Sequence, residues 1–156
     1  MKQHVHYILA VLFYLAVAQI GGSFTADGVR SWYPTIAKPG YTPPGFVIGI
    51  VWTGIYILAA ASLIMFTDAA RGKHAFWPII VLYALNGIIN AAWSYVFFAQ
   101  HALGPAVLHA GLIGVSVAAI MRAVWPYSRA ASLLLLPYLA WVTFATFLSY
   151  QIYRLN

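Results

Sequence analysis

Two asparagines stand four residues apart in an otherwise apolar stretch, Asn86 and Asn90. On a helix, residues three or four apart share a face. Asn86, Asn90, Trp93 and Phe97 therefore form one stripe. Gly49, Trp52 and Tyr56 form a second, and Tyr138, Trp141, Ala145 and Leu148 a third. Amides both donate and accept hydrogen bonds, and aromatic faces stack on flat rings. The combination suits a polar-edged pocket between aromatic walls. The plainer reading is that the amides tie neighbouring helices together and the rings simply pack. Convergence of three stripes favours the pocket.

Conventional catalytic chemistry is sparse. The acids are Asp27, in the long first loop, and Asp68, near a helix end. No carboxylate falls in mid-span, which removes support for a proton-coupled pump. There are no paired carboxylates, no Ser/His/Asp set, no G-x-S-x-G and no phosphate-binding glycine loop. Cysteine is absent, which excludes disulfides and thiolate metal sites. No metal site is expected. His109 is the one histidine well inside a span. It could ligate haem iron, but a lone helical histidine reads first as hydrogen-bonded structure. His4, His6, His74 and His101 fall near span ends and follow no spacing rule.

These residues need elements to hold them, and composition says what kind. The chain is 63% hydrophobic and only 6% charged, against about 25% charged in soluble domains. Lipid rather than water must be the solvent for most of the surface. Spanning takes about 20 apolar residues. Five stretches qualify, at about 5–24, 44–66, 76–99, 103–124 and 130–153. The expected fold is a single all-α domain over 1–156, a bundle of five transmembrane helices. The start, Met1-Lys2-Gln3-His4 and then apolar, is similar to a signal peptide. No A-x-A-like cleavage site follows, so it reads as a retained first helix.

Net charge is +6, yet Lys2, Arg30, Lys38, Arg71, Lys73, Arg122, Arg129 and Arg154 are scattered at the ends of apolar runs. They read as headgroup anchors, not a nucleic-acid patch. With five crossings, Lys2, Arg71, Lys73, Arg122 and Arg129 fall on the N-terminal side, against Arg30, Lys38 and Arg154 on the other. The positive-inside rule then places the N-terminus in the cytoplasm.

Three links are short: 69–74, 100–102 and 125–129. The first, 23–43, is long and rich in aromatics and prolines, and reads as a lid over one mouth of the bundle. Its lid residues are Trp32, Pro39, Tyr41, Pro43 and Pro44, and Thr42-Pro43 suits a helix N-cap followed by proline at the first helical position. In the fourth span, Ala102, Ala106, Ala110, Gly114 and Ala118 recur every four residues. Such a row permits close backbone approach. It either packs within the bundle or forms a homodimer interface.

In combination and order, several motifs resemble the TspO/MBR family of tryptophan-rich sensory proteins and translocator proteins. They are Trp32-Tyr33, Lys38-Pro39-Gly40-Tyr41-Thr42-Pro43-Pro44-Gly45, Val51-Trp52-Thr53 with Tyr56, and Asn86 with Asn90-Ala91-Ala92-Trp93-Ser94 and Phe97-Phe98. Pro137-Tyr138-Leu139-Ala140-Trp141 and Phe144-Ala145-Thr146 complete the set. The resemblance covers most of the chain. It implies five helices, frequent homodimers and a pocket closed by the first loop. It also implies tetrapyrrole ligands such as protoporphyrin IX or haem, with no resident cofactor required. Sterols and benzodiazepine-type drugs are ligands of eukaryotic members.

Carried over by position, the ligand residues are Tyr33, Trp52, Tyr56, Asn86, Asn90, Trp93, Tyr138, Trp141, Phe144 and Ala145. Trp52 and Trp141 match tryptophans linked to light-dependent porphyrin breakdown, and would be the catalytic pair if this chain does that. Sensing, regulation and transport of the ligand are the other roles implied, and a bacterial cell membrane is the expected location, with an outer membrane left open. Two positions depart from the family pattern. Tyr41 stands for the usual tryptophan of the proline motif, and Ser149 for an asparagine common there. The run Leu148-Ser149-Tyr150-Gln151-Ile152-Tyr153-Arg154 fits a proposed cholesterol pattern, which is weak. Anchoring of a helix end explains the same residues.

Overall fold

The computed structural model describes residues 5–156, so Lys2 and His4 lie outside the described residues. Five of its helical segments are long and apolar enough to cross a membrane. They comprise α1 (Val5–Ser31), α2 (Gly45–Ala70), α3 (Phe76–Ser94) with a π-helical turn (Tyr95–Ala99), α4 (Leu103–Val124), and the pair α5 (Arg129–Leu133) and α6 (Leu136–Leu155). A short 3₁₀ turn, Tyr33–Thr35, lies in the first link.

The outward faces carry large apolar side chains, with Ile8, Leu12, Phe46, Ile57, Trp77, Ile88, Leu108 and Val115 all exposed. That surface suits hydrocarbon, where the helical backbone satisfies its own polar groups. The chain is a multi-pass membrane protein.

Sequence reading ended the first helix too early. The pair Gly21-Gly22 and the polar residues after it lower the apolar signal, but nothing breaks the helix before Pro34. α1 runs to Ser31, so Asp27 and Arg30 are helical rather than in a loop, and the connecting link shrinks to 32–44. The Thr42-Pro43 cap also fails. Helix α2 starts at Gly45 with Pro44 at its N-cap position, and the Thr42 hydroxyl donates to Pro39 O at 2.7 Å instead. At its other end α2 passes the expected stop at Phe66 and reaches Ala70, which puts Asp68 inside the last turn. The fifth span is interrupted at Leu134–Leu135. Pro137 has no N–H to return to Leu133, so the helix restarts there. Ser128 caps α5, its hydroxyl accepting from Ala131 N at 3.2 Å.

The bundle is packed at one end and hollow at the other. Every buried residue of α2 lies from Ile55 onward, where Ala59, Leu63, Phe66 and Ala70 line one face. They join Ile79 and Tyr83 of α3, Ile113, Val117, Ile120 and Val124 of α4, and Leu135. Ser62 donates to Ala131 O at 2.7 Å and so accepts from Tyr83, which satisfies both buried hydroxyls. At the same end His6 Nε2 donates to Asp68 Oδ1 at 2.7 Å, while Arg71 donates to His6 Nδ1 at 3.0 Å, tying α1 to the end of α2.

The far end of α1 rests on the π-helical turn of the third span. A Cβ added to Gly28 would sit 2.7 Å from Phe98 Cβ and 3.0 Å from its carbonyl oxygen. Backbone cannot swing away as a side chain can. Gly28→Ala should therefore cost about 1–3 kcal/mol through overpacking. At Gly22 a Cβ meets nothing within 4 Å, so Gly22→Ala should gain up to about 1 kcal/mol of helix propensity. Thermal unfolding in detergent checks the pair, and equal midpoints would deny the close α1 contact.

Candidate functional site

The hollow end contains a cavity of about 560 Å³, within the usual range for small-molecule sites. Helix α2 contributes Gly49, Trp52 and Tyr56 from one face; the third span contributes Asn90, Trp93, Ser94, Phe97 and Phe98. Helix α6 gives Trp141, Phe144, Ala145, Leu148 and Ser149, and α4 gives Ala110 and Ile113. Tyr33 reaches in from the first link. Small residues keep the space open. A Cβ built on Gly22, Gly45 or Gly49 meets no atom within 4 Å.

The π-helical turn shapes one wall. Gln100 N returns to Tyr95 O at 3.0 Å and Ala102 N to Val96 O at 3.1 Å. The wider turn brings the consecutive residues Phe97 and Phe98 both onto the cavity, and such insertions often mark functional sites. Trp93 stacks on Phe97 with centroids 4.9 Å apart, and its indole N–H donates to Ala106 O at 2.9 Å.

The cavity floor is a hydrogen-bonded chain. Tyr56 Oη donates to Asn90 Oδ1 at 3.0 Å, and Asn90 Nδ2 donates to Tyr138 Oη at 2.6 Å. Tyr138 donates onward to Asn86 Oδ1 at 3.1 Å, Asn86 Nδ2 to Ser116 Oγ at 2.8 Å, and Ser116 to Ile113 O at 2.8 Å. Of the residues taken as ligand contacts, Asn86 and Tyr138 do not line the cavity. They lie one layer behind, 1% and 2% exposed, holding Asn90 and Tyr56 in place. Tyr33, Trp52, Tyr56, Asn90, Trp93, Trp141, Phe144 and Ala145 do line it.

The lid is more selective than the sequence suggested. Tyr33 alone of the lid's aromatics lines the cavity; Trp32, Pro39, Tyr41, Pro43 and Pro44 do not. Trp32 instead stacks on His101, 4.1 Å between centroids, and meets Phe97 edge-on. His101 sits at φ 55°, in the left-handed region. Tyr41 lies parallel to Phe147 at 6.2 Å. Lys38 Nζ donates to Tyr33 O and Ile36 O and sits 4.7 Å from the Tyr33 ring centre. Asn156 closes the link onto α6, accepting from Ala37 N and donating to Ala37 O, both at 3.0 Å. Burial raises the pKa of the Tyr33 phenol, so it stays neutral at the mouth.

Sequence reasoning missed the α1 wall, Ala18, Gly21, Gly22, Thr25, Ala26, Val29 and Arg30. The signal was present as small residues at helical spacing, hidden by ending the helix early. The alanine row of α4 divides. Ala106 and Ala110 are buried, and a Cβ on Gly114 would meet Val142 at 3.4 Å, so these pack within the chain, while Ala118 is exposed. His109 is not on the cavity, and its Nδ1 is buried without a partner among the described residues, against the expected hydrogen-bonded role. Arg154 bonds Tyr150 at 3.3 Å on an exposed surface, as a helix-end anchor would.

The chain belongs to the TspO/MBR family. Residues 9–154 match that family. The tryptophan-rich protein TspO of Archaeoglobus fulgidus is 36% identical over 96% of this chain and 95% of its own length. The translocator protein of Homo sapiens is 32% identical over 88% of this chain and 82% of its own. The tryptophan-rich sensory protein of Cereibacter sphaeroides is 29% identical over 93% of this chain and 91% of its own.

Tyr138→Phe would strip both Asn90 Nδ2 and Asn86 Oδ1 of their partner. Each amide group left unpaired should cost about 1–3 kcal/mol. Tyr56→Phe frees only Asn90 Oδ1, which borders the cavity and can take a water, so it should cost clearly less. Unfolding midpoints of the two variants rank them, and the reverse order would contradict the chain as drawn.

Proposed function

We propose that this cavity binds a flat tetrapyrrole such as protoporphyrin IX, in a receptor- or translocator-like membrane role. The observation that carries the reading is the pairing of Trp52 and Trp141 on one cavity whose floor is the amide of Asn90. Ring stacking holds the macrocycle, and the amide meets its polar edge. Relatives named as sensory and translocator proteins support the role. The apolar walls also suit sterols and benzodiazepine-type molecules, which would act as competitors.

Trp52→Ala combined with Trp141→Ala should weaken protoporphyrin IX binding at least about tenfold, since each ring contact contributes about 0.5–1.5 kcal/mol beyond burial. Porphyrin absorbance during titration in detergent measures this. Unchanged affinity in the double variant would remove the ligand from the cavity.

A second reading, light-dependent breakdown of the ligand, draws on the same two indoles. Photoexcited porphyrin would take one electron from Trp52 or Trp141, leaving an indole radical cation and a porphyrin radical anion, with no acid–base residue involved; opening the ring would need dioxygen as a further co-reactant. The Trp52 ring lies 5.5 Å from Tyr56 and 5.9 Å from Tyr138, whose hydroxyls donate to neutral amide oxygens, so refilling the hole would fall to an external reductant. Under illumination, bleaching of bound porphyrin should exceed that of free porphyrin and vanish in the double variant. Bleaching at the free-porphyrin rate would leave binding as the whole activity. Transport is tested separately, by protein-dependent porphyrin uptake into reconstituted vesicles.

A further inference from the structure

We infer that Arg30 is the anion-holding end of the cavity, receiving the carboxylate of a flat amphiphilic acid whose apolar body lies between Trp52 and Trp141. The inference rests on the proposed ligand reading and adds the ligand's orientation and acid requirement.

Arg30 is the one charged side chain among the cavity-lining residues. It stands in the last turn of α1, at the lid end. Among the described residues the ion pair is His6–Asp68, at the opposite end of the bundle. Asp27, three residues before Arg30, is not paired with it, and among the described residues no hydrogen bond holds the guanidinium. The other cations at this end are committed. Lys38 binds two carbonyl oxygens, at 2.6 and 2.7 Å, and Arg154 bonds Tyr150. Gly45, the first residue of α2, borders the same mouth and adds that helix's positive end to the local potential. An apolar cavity with a single uncommitted cation at its rim discriminates by ligand charge. A guanidinium offers a planar fork that matches a carboxylate, and paired oxygens bind more tightly than neutral acceptors.

The same anionic-oxygen chemistry could come from a soluble acid or from a lipid phosphate. The test separates them. Affinities of protoporphyrin IX and of its uncharged dimethyl ester are measured for the natural chain, Arg30→Gln and Arg154→Gln in nonionic detergent. The natural chain should prefer the free acid about tenfold. Arg30→Gln should lose that preference while binding the ester as well as the natural chain does, which also shows that the variant is folded. Arg154→Gln should keep it. Equal affinity for acid and ester in the natural chain, or a preference that survives Arg30→Gln, overturns the inference. In nanodiscs, the acid preference should be the same in phosphatidylglycerol as in phosphatidylcholine. Its disappearance in phosphatidylglycerol alone would assign Arg30 to the headgroup and overturn the inference. Failure of the ligand reading itself looks different: neither porphyrin would bind saturably, or Trp52→Ala would leave both affinities unchanged.

Discussion

Hydrocarbon does not forgive an unpaired amide, and this bundle places two of them near its middle. An unsatisfied polar group there costs several kcal/mol. Asn86 and Asn90 escape that cost through a chain that runs one way, from Tyr56 through Asn90, Tyr138 and Asn86 to Ser116 and the Ile113 carbonyl. It joins α2, α3, α6 and α4 at one level. Each link in the chain crosses between helices or holds a helix face, so the helices must keep their mutual register for the chain to close. Below that level Phe66, Tyr83, Val117 and Leu135 fill the interior. Above it the helices splay around a cavity.

The hollow half stays open because glycine and alanine share its walls with the aromatic rings, and because the link over it is tied down. Lys38, Trp32 and Asn156 fasten that link to itself, to the turn before α4 and to the end of α6. Only Tyr33 then projects onto the cavity. The lid is thus a braced rim. In the proposed reading, ligand selection falls to the indoles, the Asn90 amide and the rim cation.

Helical spacing alone made the three aromatic stripes legible, and with them most of the cavity wall. Spacing tells which face a residue occupies but not how deep it lies. That is why Asn86 and Tyr138 read as ligand contacts when they are the layer behind. The α1 wall was lost for a different reason. Gly21-Gly22 looks like a helix end, whereas here Gly21 and Gly28 let α1 approach Ser94 and Phe98. Close approach is a tertiary fact with no local signature. The same holds for Phe97 and Phe98, whose joint exposure to the cavity depends on a π-helical turn. The four-residue row on α4 was ambiguous between partner and self, and packing against Val142 decided for self over Ala106–Gly114.

The central claim is that the space above the amide chain is a ligand site. A structure determined with protoporphyrin IX bound tests it most directly. The macrocycle should lie between Trp52 and Trp141, with its polar edge at Asn90 and the lid contact made by Tyr33. A macrocycle seated instead in the outer groove lined by Phe13, Ile20, Ile88 and Tyr95, with the inner cavity free of it, would contradict the account.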